Sequence, residues 1–181
     1  MSGWGKFLSR SLQSFQAKWG PLVVGGLARS VPPESFGRYG RCSLQLPYEI
    51  DHPEFVYVED DVLVGPYLQA RVDPVTGSLR FRRRAYLGRF GTITARFPVE
   101  FGEAVMAGDQ LCLGVDPPPG KEPGPVVIGQ GTFVGVGSII CSGVSIGDGC
   151  YVGAGSVVME DMPAGYLIAG NPARAIRPLH G

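Results

Sequence analysis

The sequence predicts an all-β fold, a single-stranded parallel β-helix made of stacked turns of chain. Between residues 128 and 163 an aliphatic residue returns at every sixth position: Ile128, Val134, Ile140, Ile146, Val152 and Val158. Glycine follows it at Gly129, Gly135, Gly147 and Gly153. A small residue or valine stands four positions after it, at Thr132, Ser138, Val144, Cys150 and Ser156. A period of six is neither that of an α-helix nor that of a simple strand, and it is typical of a solenoid.

Each six-residue unit is interpreted as one short strand followed by one corner. The aliphatic residue faces inward, and the glycine lets the backbone turn without a Cβ clash. Three units close one coil of about 18 residues, and a coil buries its inner face only when others stack on it. Six units in register favour this solenoid over a buried sheet whose glycines mark ordinary turns.

The inward aliphatic residue of each six-residue unit, or hexad, serves as a marker of the repeat. This hexad marker can also be followed towards the N-terminus. It predicts three further coils, at Val58, Val64 and Ala70, at Phe81, Leu87 and Ile93, and at Phe101, Ala107 and Leu113, with weaker starts at Phe36 and Cys42. The register breaks at 73–78 and 116–125, where proline and glycine cannot continue a ladder, so both segments are predicted to be loops. We therefore expect about six coils, the first one poor, in a β-helix domain over 36–168.

Residues 1–35 form a separate N-terminal capping segment in this interpretation. Within it, residues 4–19 carry apolar side chains at spacings of three and four: Trp4, Phe7, Leu8, Leu12, Phe15 and Trp19. Lys6, Arg10 and Lys18 flank them, which predicts a short amphipathic helix with a basic polar side. One interpretation is a helix that caps the open first coil. The alternative is peripheral contact with a membrane surface.

Composition narrows the classes of protein. The 181 residues include 28 glycines and 16 prolines, and the formal net charge is zero, so bulk attraction to nucleic acid is not indicated. An apolar run long enough to cross a membrane and the apolar core of a signal peptide are both missing from the sequence, so we expect a cytoplasmic protein. The four cysteines show no CxxC pair and are expected to be free thiols.

Two C-terminal segments carry a resemblance to a known family. They are VVIGQGTFVGVGSIICSGVSIGDGCYVGAGSVVMEDMP at 126–163 and AGNPARAIRPL at 169–179, within the tail 169–181. Together they resemble the hexapeptide-repeat acyltransferases, in particular the maltose, galactoside and polysaccharide O-acetyltransferase branch. The resemblance implies a left-handed β-helix, a homotrimer and a role in polysaccharide biosynthesis. It also implies that acetyl-CoA, the acyl donor, binds in the cleft between neighbouring helices.

In that family the cofactor lies along the C-terminal coils, and a basic residue near the GNP motif meets its phosphates. The resemblance therefore implies these cofactor-binding residues: Gly135, Ser138, Gly153, Ala154, Gly155, Ser156, Asn171, Arg174 and, as a second basic candidate, Arg177. The chemistry is suitable, because a glycine-rich wall admits a thin pantetheine arm and arginine binds phosphate in a bidentate way.

The catalytic base of the family is a histidine, and it is missing here. The chain has no histidine between His52 and His180, and Asp116 stands near the expected position. One explanation is that Asp116, or another carboxylate such as Glu103 or Asp109, acts as the base. A second is that the acceptor is an amine, which needs less help. A third is an inactive homologue with a binding or scaffold role.

The chain contains only two histidines, His52 and His180. His52 lies in a turn-like stretch and is either a surface residue or a side chain that reaches a neighbouring subunit's cleft. Two histidines are too few for the three zinc ligands of carbonic anhydrase-like β-helices, so we expect no metal.

The densest run of charge contains Arg82 and Arg83. These arginines form either a solvated face or a clamp for a phosphorylated or nucleotide-linked sugar. The predicted function is acetyl transfer from acetyl-CoA to a hydroxyl or amino group of a sugar or sugar-like acceptor.

Overall fold

The structure, a computed structural model, describes residues 36–179, and these form a parallel β-helix with three flat faces. Face I contains β1 (Arg38–Tyr39), β4 (Val56–Val58), β7 (Ser78–Phe81), β10 (Pro98–Phe101), β13 (Val126–Ile128) and β16 (Ser145–Ile146). Face II contains β2 (Ser43–Leu44), β5 (Leu63–Val64), β8 (Tyr86–Leu87), β11 (Met106–Ala107), β14 (Phe133–Val134), β17 (Tyr151–Val152), β19 (Tyr166–Gly170) and β20 (Ala173–Pro178). Face III contains β3 (Tyr48–Ile50), β6 (Leu68–Val72), β9 (Thr92–Ala95), β12 (Cys112–Val115), β15 (Ile139–Cys141) and β18 (Val157–Val158).

The chain visits the faces in the order I, II, III, and it does so six times, so the predicted fold class and number of coils are confirmed. A short 3-10 turn, Pro53–Phe55, precedes the second coil. The predicted N-terminal helix and capping segment lie outside the described residues, as does His180. Within residues 36–179, no helix is long and apolar enough to span a membrane.

The pairing register confirms the hexad marker in five coils. On face I, Phe81 pairs with Val58 and with Phe101 of the coils before and after it. Phe101 pairs in turn with Ile128. These side chains point inward and are at most 1% exposed. The core is therefore one continuous apolar column along the axis of the solenoid.

The weak starts proposed for the first coil are wrong. Its strands place Tyr39 opposite Val58, Leu44 opposite Val64 and Ile50 opposite Ala70. Phe36 and Cys42 therefore do not occupy the marker positions. Tyr39 is five positions before Leu44, and Ile50 is eight positions before Val58, so counting back in sixes from the later coils misses the true register.

The small residues of the hexad lie inside the coil, and those with a hydroxyl, Thr132, Ser138 and Ser156, donate it to a carbonyl oxygen at a corner. Ser138 Oγ donates to the carbonyl oxygen of Gly135 at 2.8 Å, and Ser156 Oγ donates to that of Gly153 at 2.6 Å. Both serines are at most 1% exposed. A small hydroxyl residue therefore fills the corner and satisfies a buried polar atom at the same time.

Two loops leave the solenoid, close to the predicted positions. The first covers 73–77, since Ser78 already belongs to β7, and the second covers 116–125. The second loop is attached to the later coils: Lys121 Nζ donates to the carbonyl oxygen of Met159 at 2.9 Å, and Gly124 N donates to Ser142 Oγ at 3.1 Å. After the last coil, β19 and β20 form an antiparallel hairpin that ends face II.

Candidate functional site

The corner between faces II and III brings several predicted cofactor residues together in the C-terminal coils. Gly135 follows β14, the run 153–155 follows β17, and Asn171 follows β19. A Cβ atom at Gly135 would lie 2.5 Å from the backbone nitrogen of Ala154, so the two corners are stacked in contact. Ala154 and Gly155 are exposed. The outer wall here consists mainly of backbone, as a thin ligand requires.

Ser138 and Ser156, two other predicted cofactor residues, have their side chains on the inner side of this corner. Their hydroxyl groups donate hydrogen bonds to the carbonyl oxygens of Gly135 and Gly153, respectively. The part of the site that faces outward is therefore formed by the glycines and Ala154.

Two exposed arginines lie on β20, beside the end of this corner. Arg174 pairs in register with Ala169 of β19, and its Nη1 lies 3.6 Å from Glu160 Oε2. Arg177 Nη1 donates to the carbonyl oxygen of Pro178 at 3.3 Å. The side chain of Arg174 is 56% exposed, so its guanidinium group can reach an anionic ligand.

The two predicted catalytic residues lie on a different corner, between faces III and I. Asp116 follows β12, and one of its oxygens is 2.7 Å from Arg96 Nη1. His52 follows β3, and its Nδ1 is 3.2 Å from Glu54 Oε1. Two strands of face III separate β3 from β12. At the usual strand spacing this is about 14 Å, so the structure does not bring these residues together.

The other candidate bases, Glu103 and Asp109, are held by arginines. Arg84 Nη2 donates to Glu103 Oε1 at 2.6 Å, and Arg89 Nη2 donates to Asp109 Oδ2 at 2.7 Å. The hydrogen bonds from Arg89 hold the pKa of Asp109 below its usual value. Asp109 is therefore poorly suited to accept a proton at neutral pH.

The predicted acceptor clamp lies at the corner between faces I and II, beside a groove of about 380 Å³. Carboxylates predominate among its charged lining residues, which are Glu59, Glu100, Glu103, Asp148 and Arg82. Arg82 is bound to two of them, with Nε 2.8 Å from Glu100 Oε1 and Nη1 3.1 Å from Glu59 Oε1. The side chain of Arg83 is exposed. Arg82 is therefore already paired with carboxylates, although its side chain is still 39% exposed, and Arg83 is the more exposed of the two.

Sequence reasoning missed the ion pairs that connect neighbouring coils. The pairs join residues 18 to 20 positions apart: Arg82 with Glu100, Arg84 with Glu103, Arg89 with Asp109 and Arg96 with Asp116. That separation is about one coil. Opposite charges one coil apart are the signal that would have found them.

The cysteines and the possible metal ligands of the described residues do not form a reactive or metal-binding cluster. All four cysteines are free, and burial raises the pKa of the Cys112 and Cys141 thiols, which keeps them protonated. In the part of the chain that the structure describes, no three His, Cys, Asp or Glu side chains converge on a position for a metal ion.

Comparison with known proteins agrees with this architecture. Residues 125–160 match the family model described as the hexapeptide repeat of succinyl-transferase, which confirms the resemblance over that segment. A crystal structure of AntD, an N-acyltransferase from Bacillus cereus, in complex with dTDP and 3-hydroxybutyryl-CoA, is similar with a TM-score of 0.71. The identity is 18%, over 80% of this chain and 84% of that chain.

A second structure of AntD is also similar. It is a serine-to-alanine mutant in complex with dTDP-4-amino-4,6-dideoxyglucose and coenzyme A, with a TM-score of 0.59 and 20% identity over 80% of this chain and 85% of that chain. At such identities the likeness establishes a common fold, and function has to be argued from the site.

Proposed function

We propose that this protein is an acyl-CoA-dependent acyltransferase that acts on an amino group of a sugar, with a nucleotide-linked sugar as the favoured acceptor and acetyl as the favoured acyl group. The observation that carries the proposal is the corner at Gly135 and 153–155, where a backbone wall ends beside Arg174. The wall accommodates the pantetheine arm, and the arginine binds the phosphates.

An amino acceptor agrees with the carboxylates of the described residues, because Asp109, on this corner, is bound by Arg89 and Asp116 lies on another corner. The neutral amine nitrogen attacks the thioester carbonyl carbon, and the C–S bond breaks. The proton that leaves the nitrogen is taken up by the departing thiolate, so that an amide and CoA are formed. Because the leaving group accepts this proton, a dedicated base such as Asp116 is less important than it is for an alcohol.

The similar structures support the choice of acceptor. AntD is an N-acyltransferase whose structures contain CoA ligands and dTDP or a dTDP-amino sugar. We further propose a homotrimer, with the cofactor in the cleft between subunits, a cytoplasmic location and a role in polysaccharide biosynthesis.

Substituting Arg174 with alanine is expected to weaken the binding of acetyl-CoA and of CoA about tenfold or more, because a charge-assisted contact to phosphate contributes about 1.5–3 kcal/mol. Isothermal titration calorimetry measures the two affinities. Arg177→Ala is the matched control on the same strand, because it removes an equal charge from the second, less favoured candidate.

These titrations answer two questions. The two variants show whether Arg174 makes a specific contact, and the affinity of the natural protein for acetyl-CoA distinguishes a transferase from a scaffold. Equal weakening in both variants would show that only the general positive charge of β20 matters. No detectable binding of acetyl-CoA to the natural protein would contradict the transferase proposal, and the missing histidine would then favour the scaffold role.

Substituting Asp116 with asparagine is expected to lower kcat/KM for an amino sugar less than about tenfold, because general-base catalysis, when it operates, contributes about 100- to 10,000-fold. Release of CoA thiol, followed with a thiol reagent, measures the rate. Arg96→Gln, which removes the partner of Asp116, is the control for a change in local packing. A loss of a hundredfold or more in Asp116→Asn alone would identify Asp116 as the base.

A further inference from the structure

One position of the corner between faces II and III has a left-handed backbone in every coil from the second to the sixth. The residues at this position, which we call the corner row, have φ between 58° and 68°: Tyr67, Phe90, Gln110, Gly137 and Gly155. From the third coil on, the backbone nitrogen of each member donates to the carbonyl oxygen just before the previous member, as Phe90 N does to Pro66 O at 3.0 Å. The corner row therefore runs in register along one edge of the solenoid.

The side chains of the corner row project into solvent. A Cβ atom built at Gly137 or at Gly155 would have no other atom within 4 Å. Tyr67 is 50% exposed and Phe90 is 49% exposed. Their rings stack with centroids 4.8 Å apart and an interplanar angle of 6°. The second and third coils thus present two parallel aromatic rings on an open edge.

A large aromatic residue is poorly suited to the backbone of this position. The left-handed conformation favours glycine, because a Cβ atom comes too close to the following carbonyl oxygen. Half-exposed rings recover only part of this cost through burial. Bulky residues are uncommon in the left-handed region, and strained backbone of this kind clusters at active sites and ligand-binding surfaces. Tyr67 and Phe90 therefore indicate a contact beyond the needs of the fold.

The corner row changes in character where the proposed cofactor wall begins. Its two glycines leave the edge bare beside the wall at Gly135 and 153–155. In the fourth coil, Gln110 exposes an amide, which can both donate to and accept from sugar hydroxyls. Arg89, whose side chain is 60% exposed although it binds Asp109, lies in the same corner. Two coils, or about 10 Å at the usual strand spacing, separate the rings from the wall.

We propose that Tyr67 and Phe90 form the stacking platform for the nucleobase of the acceptor, which lies along the corner row with its amino group at the cofactor wall. This inference rests on the proposed transfer to a nucleotide-linked amino sugar, and it adds residues that bind that acceptor. The base and the amino group are at opposite ends of such a molecule, so one acceptor can contact both places. The groove beside Arg82 suits a diphosphate less well, because its other charged lining residues are four carboxylates.

Isothermal titration calorimetry with dTDP, and with UDP and GDP in parallel, tests the platform, because these ligands carry a base and a diphosphate without the sugar. The natural protein is expected to bind dTDP, with or without saturating CoA. Phe90→Ala is expected to weaken this binding about tenfold, since it removes one base–aromatic stack. Phe90→Tyr, which keeps a ring, is expected to retain the natural affinity. Inorganic pyrophosphate, which lacks a base, is expected to show no difference between the natural protein and Phe90→Ala.

Tyr151→Ala is the matched control. Tyr151 is 45% exposed and stacks on Phe133 with centroids 4.8 Å apart, but it lies on a strand of face II instead of at the corner. Its loss is expected to leave the affinity for dTDP unchanged. Phe90→Ala is likewise expected to leave the affinity for CoA unchanged. Light scattering and circular dichroism on all variants report molar mass and folding.

Several results would overturn the platform. No measurable binding of any of the three nucleotides would remove it, and binding of CoA by the same protein would leave the transferase proposal standing. Equal affinity for dTDP in the natural protein and Phe90→Ala, or an equal loss in Tyr151→Ala, would place the base elsewhere. Weaker CoA binding in Phe90→Ala would assign the rings to the adenine of the cofactor, and a lower molar mass would place them between copies of the chain.

The opposite combination would separate the two proposals in the other direction. If Phe90→Ala weakens dTDP binding while the natural protein does not bind CoA, the platform is supported and the transfer reaction is contradicted.

Discussion

Substituting Phe101 with alanine is expected to lower the free energy of unfolding by about 3–5 kcal/mol, the range found when a large aromatic side chain is removed from a core. Phe101 has no exposed surface, and its ring stacks on that of Phe81 with centroids 4.7 Å apart. The two rings join consecutive coils, so the cavity would lie between coils that cannot collapse independently. Urea unfolding followed by circular dichroism measures the change.

Phe90→Ala is the matched control for this substitution. Phe90 stacks on Tyr67 with centroids 4.8 Å apart, which is nearly the same geometry, but it is 49% exposed at a corner. Its loss is expected to cost less than about 1 kcal/mol. If the two substitutions were equally costly, stacking between coils rather than burial would determine stability.

Substituting Gly135 with alanine is expected to destabilise the fold by about 1–3 kcal/mol or more, as overpacking does. The new Cβ atom would lie 2.5 Å from the nitrogen and 2.7 Å from the Cα atom of Ala154, and neither backbone atom can move without shifting a whole coil. Thermal unfolding, with the midpoint read from circular dichroism, measures the loss.

Gly153→Ala is the control one coil further on. The nearest atom to a Cβ there is Cβ of Ala169 at 3.5 Å, an ordinary van der Waals contact, so a change within about 0.5 kcal/mol is expected. If Gly135→Ala is as stable as the natural protein, the coils are less closely stacked than the structure indicates. The pair distinguishes a glycine that the stacking requires from one that it tolerates.

The regular coils could be predicted from sequence because their core demands one inward residue at fixed spacing. Val58, Phe81 and Phe101 were found by counting, since each pairs with the next through the same position of a coil. The first coil could not be found in this way, because its spacing departs from six between Tyr39 and Leu44.

The candidate site was predictable only in part. The glycines at 135 and 153 belong to the repeat, so their common corner follows from the register. The placement of Asp116 and His52 depends on how many coils separate them and on which face precedes each, and composition does not contain that information. The pairing of Arg82 with Glu59 and Glu100 depends on rotamers across three coils, which the linear pattern does not specify.

The hairpin at the end of face II also has a consequence for self-association. A solenoid of parallel strands offers an open ladder at its last coil, to which another chain can add in the manner of a growing fibril. Here β20 runs antiparallel, has an irregular register opposite Leu167 and Ile168, and carries Arg174, Arg177 and Pro178. Charge, proline and a bulge are the features by which natural edges resist aggregation. The strand proposed to bind the phosphates of CoA therefore also makes the C-terminal edge of face II a poor template for another chain.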